Sequence, residues 1–274
     1  MGQIPLEDNY ADVAAKAQRG LGLSDAEVAR QAGVGADEWA RFKSGQFDEG
    51  VARKIAGPLQ LGAEALGELA RQAWTPEPVR VEGLAAFNTP YHDMTVNSYL
   101  VFDAKTGQAA AFDTGASAGG MLEAARERKL AVACIFLTHA HPDHIADLAR
   151  LEKETGASAF IGEKEELSGP KTFAAGHVFR VGGLKIETRH TSGHARGGIT
   201  YVVTGLERRL AIVGDALFAA SMGGGAISYE EALRTNRREI FSLPDDTVIC
   251  PGHGPMTTVG GEKKHNPFYP EFQK

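Results

Sequence analysis

The chain is short of cysteine, of positive charge and of long apolar runs. Only Cys134 and Cys250 occur, both in apolar, strand-like stretches, which suits buried thiols in a reducing compartment and excludes a disulfide-stapled scaffold. A net charge of −6 argues against a protein whose main business is coating nucleic acid or anionic membrane. No run approaches the length of a membrane span, and no basic segment followed by an apolar stretch opens the chain, so the expectation is a soluble cytoplasmic protein without membrane contact. With 274 residues and 43% hydrophobic content, the sequence can bury a core without help from a metal.

Residues up to about Ala73 read as short helices, and Trp74-Thr75-Pro76-Glu77-Pro78 then breaks the pattern. A boundary there divides the chain into 1–75, all-α, and 76–274, where strands alternate with helices. Strands are expected at Val79–Phe87, Asn97–Phe102, Gln108–Phe112, Val132–Leu137, His177–Val181, Leu184–Arg189, Ile199–Val203, Leu210–Val213 and Thr247–Cys250. Helices are expected at Met121–Arg128, Ile145–Glu154 and Glu230–Phe241. In the first part, Ser24-Asp25-Ala26-Glu27 is a capping box, Gly33 closes that helix, and a second runs from Ala36 to Lys43 before Gly45.

The chemistry concentrates in Thr138-His139-Ala140-His141-Pro142-Asp143-His144. His139 and His141 leave an apolar strand two residues apart and so project to one side. Pro142 fits the start of the next helix, which turns Asp143 and His144 another way. One loop thus supplies two half-sites, a reason for two metals rather than one. Further ligand types stand at strand ends in Gly-rich turns: His194 in Thr191-Ser192-Gly193-His194, Asp215 after Gly214, and His253 in Pro251-Gly252-His253-Gly254-Pro255. The imidazole and carboxylate set suits zinc first, with iron or manganese compatible because no thiolate biases the choice.

From about Pro78 onward these motifs resemble the metallo-β-lactamase superfamily, including Asp113 in Phe112-Asp113-Thr114-Gly115. The resemblance implies an α+β fold, a four-layer αββα sandwich with the site at one edge of its two sheets. It also implies His139, His141 and His194 on one divalent ion, Asp143, His144 and His253 on a second, Asp215 shared, and Asp113 supporting the loop without touching metal. Gly214-Asp215-Ala216-Leu217-Phe218, Leu243-Pro244-Asp245-Asp246-Thr247, Pro251 to Thr258 and Asn266-Pro267-Phe268 are similar to glyoxalase II-type thioester hydrolases, the hydroxyacylglutathione hydrolases, in their short form without a C-terminal glutathione-binding domain. The expected reaction is hydrolysis of a small-molecule thioester or related acyl ester by a hydroxide held between the two ions, with Asp143 and Asp215 orienting it. The complete second set argues against a mononuclear iron dioxygenase, net acidity against RNA processing, and the bridging aspartate against a class B β-lactamase.

The run Leu23 to Gly45 resembles the helix-turn-helix of Cro and phage-repressor-like regulators. The alternative is therefore a DNA-binding regulator that uses a metallohydrolase-like domain as a ligand sensor. Against it, the second helix opens on Ala36, Asp37 and Glu38, and residues 1–75 carry eight basic and eleven acidic side chains, a net charge of −3. A helical domain kept for packing, homodimerisation or capping of the site fits better. His92, His177, His190 and His265 read as surface or structural, Asn97 to Leu100 as a sheet edge, and Trp39 as core. The run Ser221 to Gly225 reads equally as a substrate loop or a mobile connection.

Overall fold

The computed structural model describes residues 4–273. Five helices come first: α1 (Tyr10–Gly20), α2 (Asp25–Ala32), α3 (Ala36–Lys43), α4 (Glu49–Ala56) and α5 (Ala63–Ala70). Then follow β1 (Leu84–Tyr91), β2 (Met94–Asp103), β3 (Gln108–Phe112), α6 (Gly119–Glu127), β4 (Ala131–Phe136), α7 (Pro142–Ile145), α8 (Leu148–Thr155), β5 (Ser158–Gly162) and β6 (Lys171–Phe173). The chain continues through β7 (Val178–Val181), β8 (Leu184–His190), β9 (Ile199–Thr204), β10 (Leu210–Gly214), α9 (Tyr229–Glu239), β11 (Val248–Pro251), β12 (Thr257–Thr258) and α10 (Val259–His265). Among the described residues no helix is long and apolar enough to cross a membrane.

Strands β1 to β6 form one sheet in sequence order, and β12-β11-β10-β9-β8-β7 form the other. Successive strand residues point to opposite faces, and the buried clusters obey that period. Val101, Ala110 and Phe136 face Ile186, Tyr201, Val203 and Ile212 between the sheets. Their neighbours Leu100, Ala111 and Ile135 turn outward onto Met121, Leu122 and Leu151 of α6 and α8. On the second sheet, Val202, Ala211 and Val213 turn outward onto Tyr229 and Leu233 of α9 and onto the N-terminal helices, whose Val13, Ala17, Trp39, Phe42 and Ile55 belong to the same cluster. The layers are therefore helix, sheet, sheet, helix, with α1 to α5 joined to the last.

The Ser24 capping box forms as expected and Gly33 ends α2 in the left-handed region. Residues 73–81, which contain the two-proline connector, form neither helix nor strand. Several elements differ from expectation. The first strand begins at Leu84 rather than Val79, because a turn at Glu82-Gly83 bends the chain and the Leu84 amide donates to Val81 O. The helix expected over Ile145–Glu154 is two helices broken at Asp147, whose carboxylate accepts from the Ala118 amide at 2.9 Å and whose own amide donates to Thr114 Oγ1. Strands β5 and β6 were not foreseen.

Glu262 of α10 is fully buried and accepts from the Ala220 amide, Asn266 Nδ2 and Thr257 Oγ1. Burial pushes its carboxyl up to about 7 despite those donors. A folded pKa above the unfolded one gives stability that is fully present below about 4.5 and lost as pH rises through about 7. Relative to Glu262→Gln, the native chain should lose about 3 kcal/mol of unfolding free energy between about pH 4.5 and pH 8. Denaturant titrations of both proteins across that range check it; a constant difference between them would refute it.

Candidate metal centre

The parallel pairs β3–β4 and β10–β11 send their C-terminal ends to one edge of the sandwich, and the chemistry-bearing loops leave from there. His139 and His141 follow β4, Asp143 and His144 sit in α7, His194 follows β8, Asp215 follows β10 and His253 follows β11. Two donor groups result: His139, His141, His194 and Asp215 in one, Asp143, His144 and His253 in the other, with the potential ligand atoms of each group all within 4.8 Å of one another.

The inward atoms follow from what the outward ones do. Nδ1 of His139 contacts Thr138 Oγ1 at 3.0 Å, that of His144 contacts Asp113 Oδ2 at 2.8 Å, that of His194 contacts Gly224 O at 3.0 Å, and that of His253 contacts Thr95 O at 2.7 Å. Their Nε2 atoms are left for the interior. His141 is reversed, its Nδ1 standing 2.9 Å from His139 Nε2 and 3.0 Å from His194 Nε2. Three ring nitrogens converging this closely repel through their lone pairs unless a cation or protons lie between them. Asp215 stands between the groups: Oδ2 is 3.3 Å from His194 Nε2 and 3.5 Å from His253 Nε2, while Oδ1 is 3.2 Å from His144 Nε2.

Electrostatics separates the two groups. Burial, then the neighbouring imidazole of His144, drives His139 well below the usual histidine range, and burial followed by His194 lowers His141. Both are neutral and offer lone pairs. Burial also works against charge on His144 and His253, but Asp215 and Asp113 outweigh it at His144, and hydrogen bonds to Asp143 and Asp215 outweigh it at His253, so both are raised. The same pairing holds Asp215 well below the carboxylate range although burial opposes it. A cation entering the second group must displace those protons.

The residues fit a pair of cations. His144 Nε2 and Asp215 Oδ1 are buried and, although 3.2 Å apart, are not aligned to hydrogen-bond each other or any other group, an expensive state that coordination would relieve. A Cβ at Gly252 would fall 2.1 Å from Asp215 Oδ1 and 2.6 Å from His144 Cε1, so only glycine lets that loop pass. At Gly214 φ is +52°, and a Cβ would meet Thr138 Oγ1 at 2.4 Å.

The seven candidate ligands lie together in the two donor groups, and Asp113 contacts His144 from outside them. With a left-handed backbone (φ +53°), Asp113 accepts from the Thr138 amide at 2.7 Å and Thr138 Oγ1 at 2.8 Å and holds His144. Other supporting residues escaped the sequence reading. Asn97, taken for a sheet-edge residue, donates to Pro251 O and Gly254 O on both sides of His253. Glu165 accepts from the amides of Ala140 and Gly197 and so ties the His139 loop to the one that follows His194. Ser221 and Met222 are buried, and the Gly223 amide donates to Asp215 O, so this part of the glycine-rich run packs against the site. His92 lies exposed in the β1–β2 turn, His190 contacts Arg196 O, and His265 stacks on Trp74 while contacting Glu68.

A family model described as the metallo-beta-lactamase superfamily matches residues 93–253. An uncharacterized protein of Aquifex aeolicus is 31% identical over 208 residues, which is 67% of this chain and 96% of that one. The hydroxyacylglutathione hydrolase GloC of Haemophilus influenzae is 27% identical over 197 residues, 63% of this chain and 92% of its own. The crystal structure of ETHE1 from Myxococcus xanthus superposes with a TM-score of 0.61 at 26% identity, covering 68% of this chain and 85% of that one.

Proposed function

Since the chain belongs to the metallo-beta-lactamase superfamily, a superfamily of metallo-hydrolases, we propose that it hydrolyses a thioester or related acyl ester of a small molecule at a binuclear metal centre. The observation that carries this reading is the pair of donor groups joined by Asp215, with buried, unpartnered His144 Nε2 and Asp215 Oδ1 between them. His139, His141 and His194 would hold one cation, Asp143, His144 and His253 the other, and Asp215 both. Bound divalent ions supply Lewis acidity and a water acidic enough to ionise near neutral pH. The zinc-first expectation rests on the all-imidazole and carboxylate donors, which also accept iron or manganese.

The chain's own groups do the rest. Asp215 and Asp143, acceptors only when ionised, orient the attacking water, and Asp113 fixes the His144 tautomer. No serine or cysteine nucleophile is required, and Cys250 is buried with its thiol pushed up by burial. A thiolate leaves without strong acid assistance, which suits a site whose buried acids are held ionised. The likeness to the hydroxyacylglutathione hydrolase supports the thioester over other acyl bonds. In this reading residues 1–75 form a helical unit of helix-turn-helix shape, packed on the second sheet, whose leading arm caps the site; the exposed Asp37 and Glu38 at the start of α3 oppose a role in reading DNA.

Chelator-stripped protein should be inactive, and about two equivalents of zinc, iron or manganese should restore hydrolysis of a panel of acyl thioesters, lactones and aryl esters, thioesters fastest. Turnover unchanged by stripping, or none by any metal-loaded form, would sink the proposal.

A further inference from the structure

The arm preceding α1 is seated on the metal-site loops. A Cβ at Gly254, next to His253, would lie 3.2 Å from the Glu7 amide nitrogen and 3.7 Å from Pro5 O. Ser221 Oγ donates to Asp8 Oδ2 at 2.6 Å, and Lys16 both pairs with Asp8 and donates to Met222 O at 2.9 Å. The same lysine lies 5.2 Å from the Phe218 ring, which stands edge-on to His253 at 5.5 Å. The N-terminal helices thereby touch the site through a few side chains of defined charge. Asp8 is neutralised by Lys16. Glu7 is half-buried, and its carboxylate has no hydrogen-bond or ion-pair partner among the described residues.

We propose that Glu7 determines substrate charge at this metal site, favouring acyl substrates with a cationic group close to the scissile carbonyl and disfavouring anionic ones. The inference deepens the thioester reading above and rests on it for the reaction, though not for the charge preference. The Glu7 Cβ would lie 3.5 Å from a Cβ at Gly254, next to His253, so its side chain starts beside the site; burial raises its carboxyl and His253 is the largest opposing influence. A cationic ligand would offset that desolvation, and an anionic one would add repulsion to it. Beside Glu7, a hollow of about 420 Å³ is walled by Leu6, Leu69 and Pro255, and its described lining includes Asp12 but no basic side chain. It presents the amides of Asn9 and Gln72 and the hydroxyl of Thr75 but no positive charge to offset an anion, and Pro255 joins it to the His253 loop. A thiol carrying two free carboxylates would therefore bind weakly here.

Thiol binding to cobalt-loaded protein, read from the cobalt absorption bands, tests the charge preference without turnover. Cysteamine, 2-mercaptoethanol and 3-mercaptopropionate present a thiolate with a cationic, neutral or anionic tail. The native protein should bind them in that order, each step about fivefold, the size expected of a partly desolvated charge contact. Glu7→Gln should compress the series to about twofold and Glu7→Lys should reverse it, with cobalt content unchanged in both. The corresponding acetyl thioesters should show the same ranking, mainly in KM. An equal spread in native and Glu7→Gln proteins, or a uniform shift of all three thiols, would overturn the assignment. If the thiol ranking holds while none of the thioesters is hydrolysed, the thioester reading fails and the charge preference stands.

Discussion

Replacing Asp215 by asparagine should lower metal content from about two ions per chain to one or fewer and reduce kcat/KM about a thousandfold, or about 4 kcal/mol in the barrier. The expectation follows from geometry. Asp215 offers one oxygen toward His194 and His253 and the other toward His144, so it faces both donor groups. An asparagine keeps the shape but replaces one of those oxygens with an amide that carries hydrogens and no negative charge. It would aim N–H bonds at imidazole nitrogens or at a cation. Elemental analysis of the purified variant, with kinetics on the best thioester, reads both effects together. Full metal content with undiminished turnover would show that Asp215 bridges nothing.

Asp113→Asn should act from behind the site with almost equal force. In the native chain a carboxylate that can only accept faces His144 Nδ1, which must keep its proton, so the nitrogen a cation can deprotonate and bind is Nε2, on the side of Asp215 and Asp143. Asparagine can accept from the Thr138 amide with its oxygen. Its NH2 group then points at His144 Nδ1 and demands the opposite tautomer, with hydrogen on Nε2 where the lone pair is needed. Affinity for the second cation should fall about 10–100-fold, the usual range when the partner of a ligating histidine is lost. The first group should bind almost normally. Chelator competition would resolve the two affinities, and circular dichroism would show whether the fold persists. Equal weakening of both sites would mean that Asp113 holds the loop rather than the tautomer.

The candidate ligands could be named from the sequence because their signals are local. Two histidines two apart after an apolar strand, a proline opening a helix, and glycines beside His194, Asp215 and His253 each describe a turn the chain makes within a few residues. What the sequence withheld is contact across long separations. Asn97 holds the His253 loop from more than 150 residues away. Glu165 clamps two loops from the turn after β5, a strand whose residues Ser158–Gly162 alternate too weakly to separate from a loop. Apolar periodicity says which face of a strand is buried but not what covers it, and the αββα layering was expected only from the family resemblance. Helices α2 and α3 were predictable from one capping box, Gly33 and spacing, and the rest of the segment only as short helices without bounds. Their seat on the outer face of the second sheet, and the position of Glu7 beside Gly254, were not. Those contacts are what turn an acidic helical segment from a poor reader of DNA into a candidate lip of the site.

Anomalous diffraction from crystals of the metal-loaded protein, collected at the absorption edge of the bound metal, tests the binuclear centre most directly. Two peaks about 3.5–4 Å apart are expected, one against His139, His141 and His194, the other against Asp143, His144 and His253, with Asp215 touching both. A single peak, or peaks away from these residues, would contradict the account.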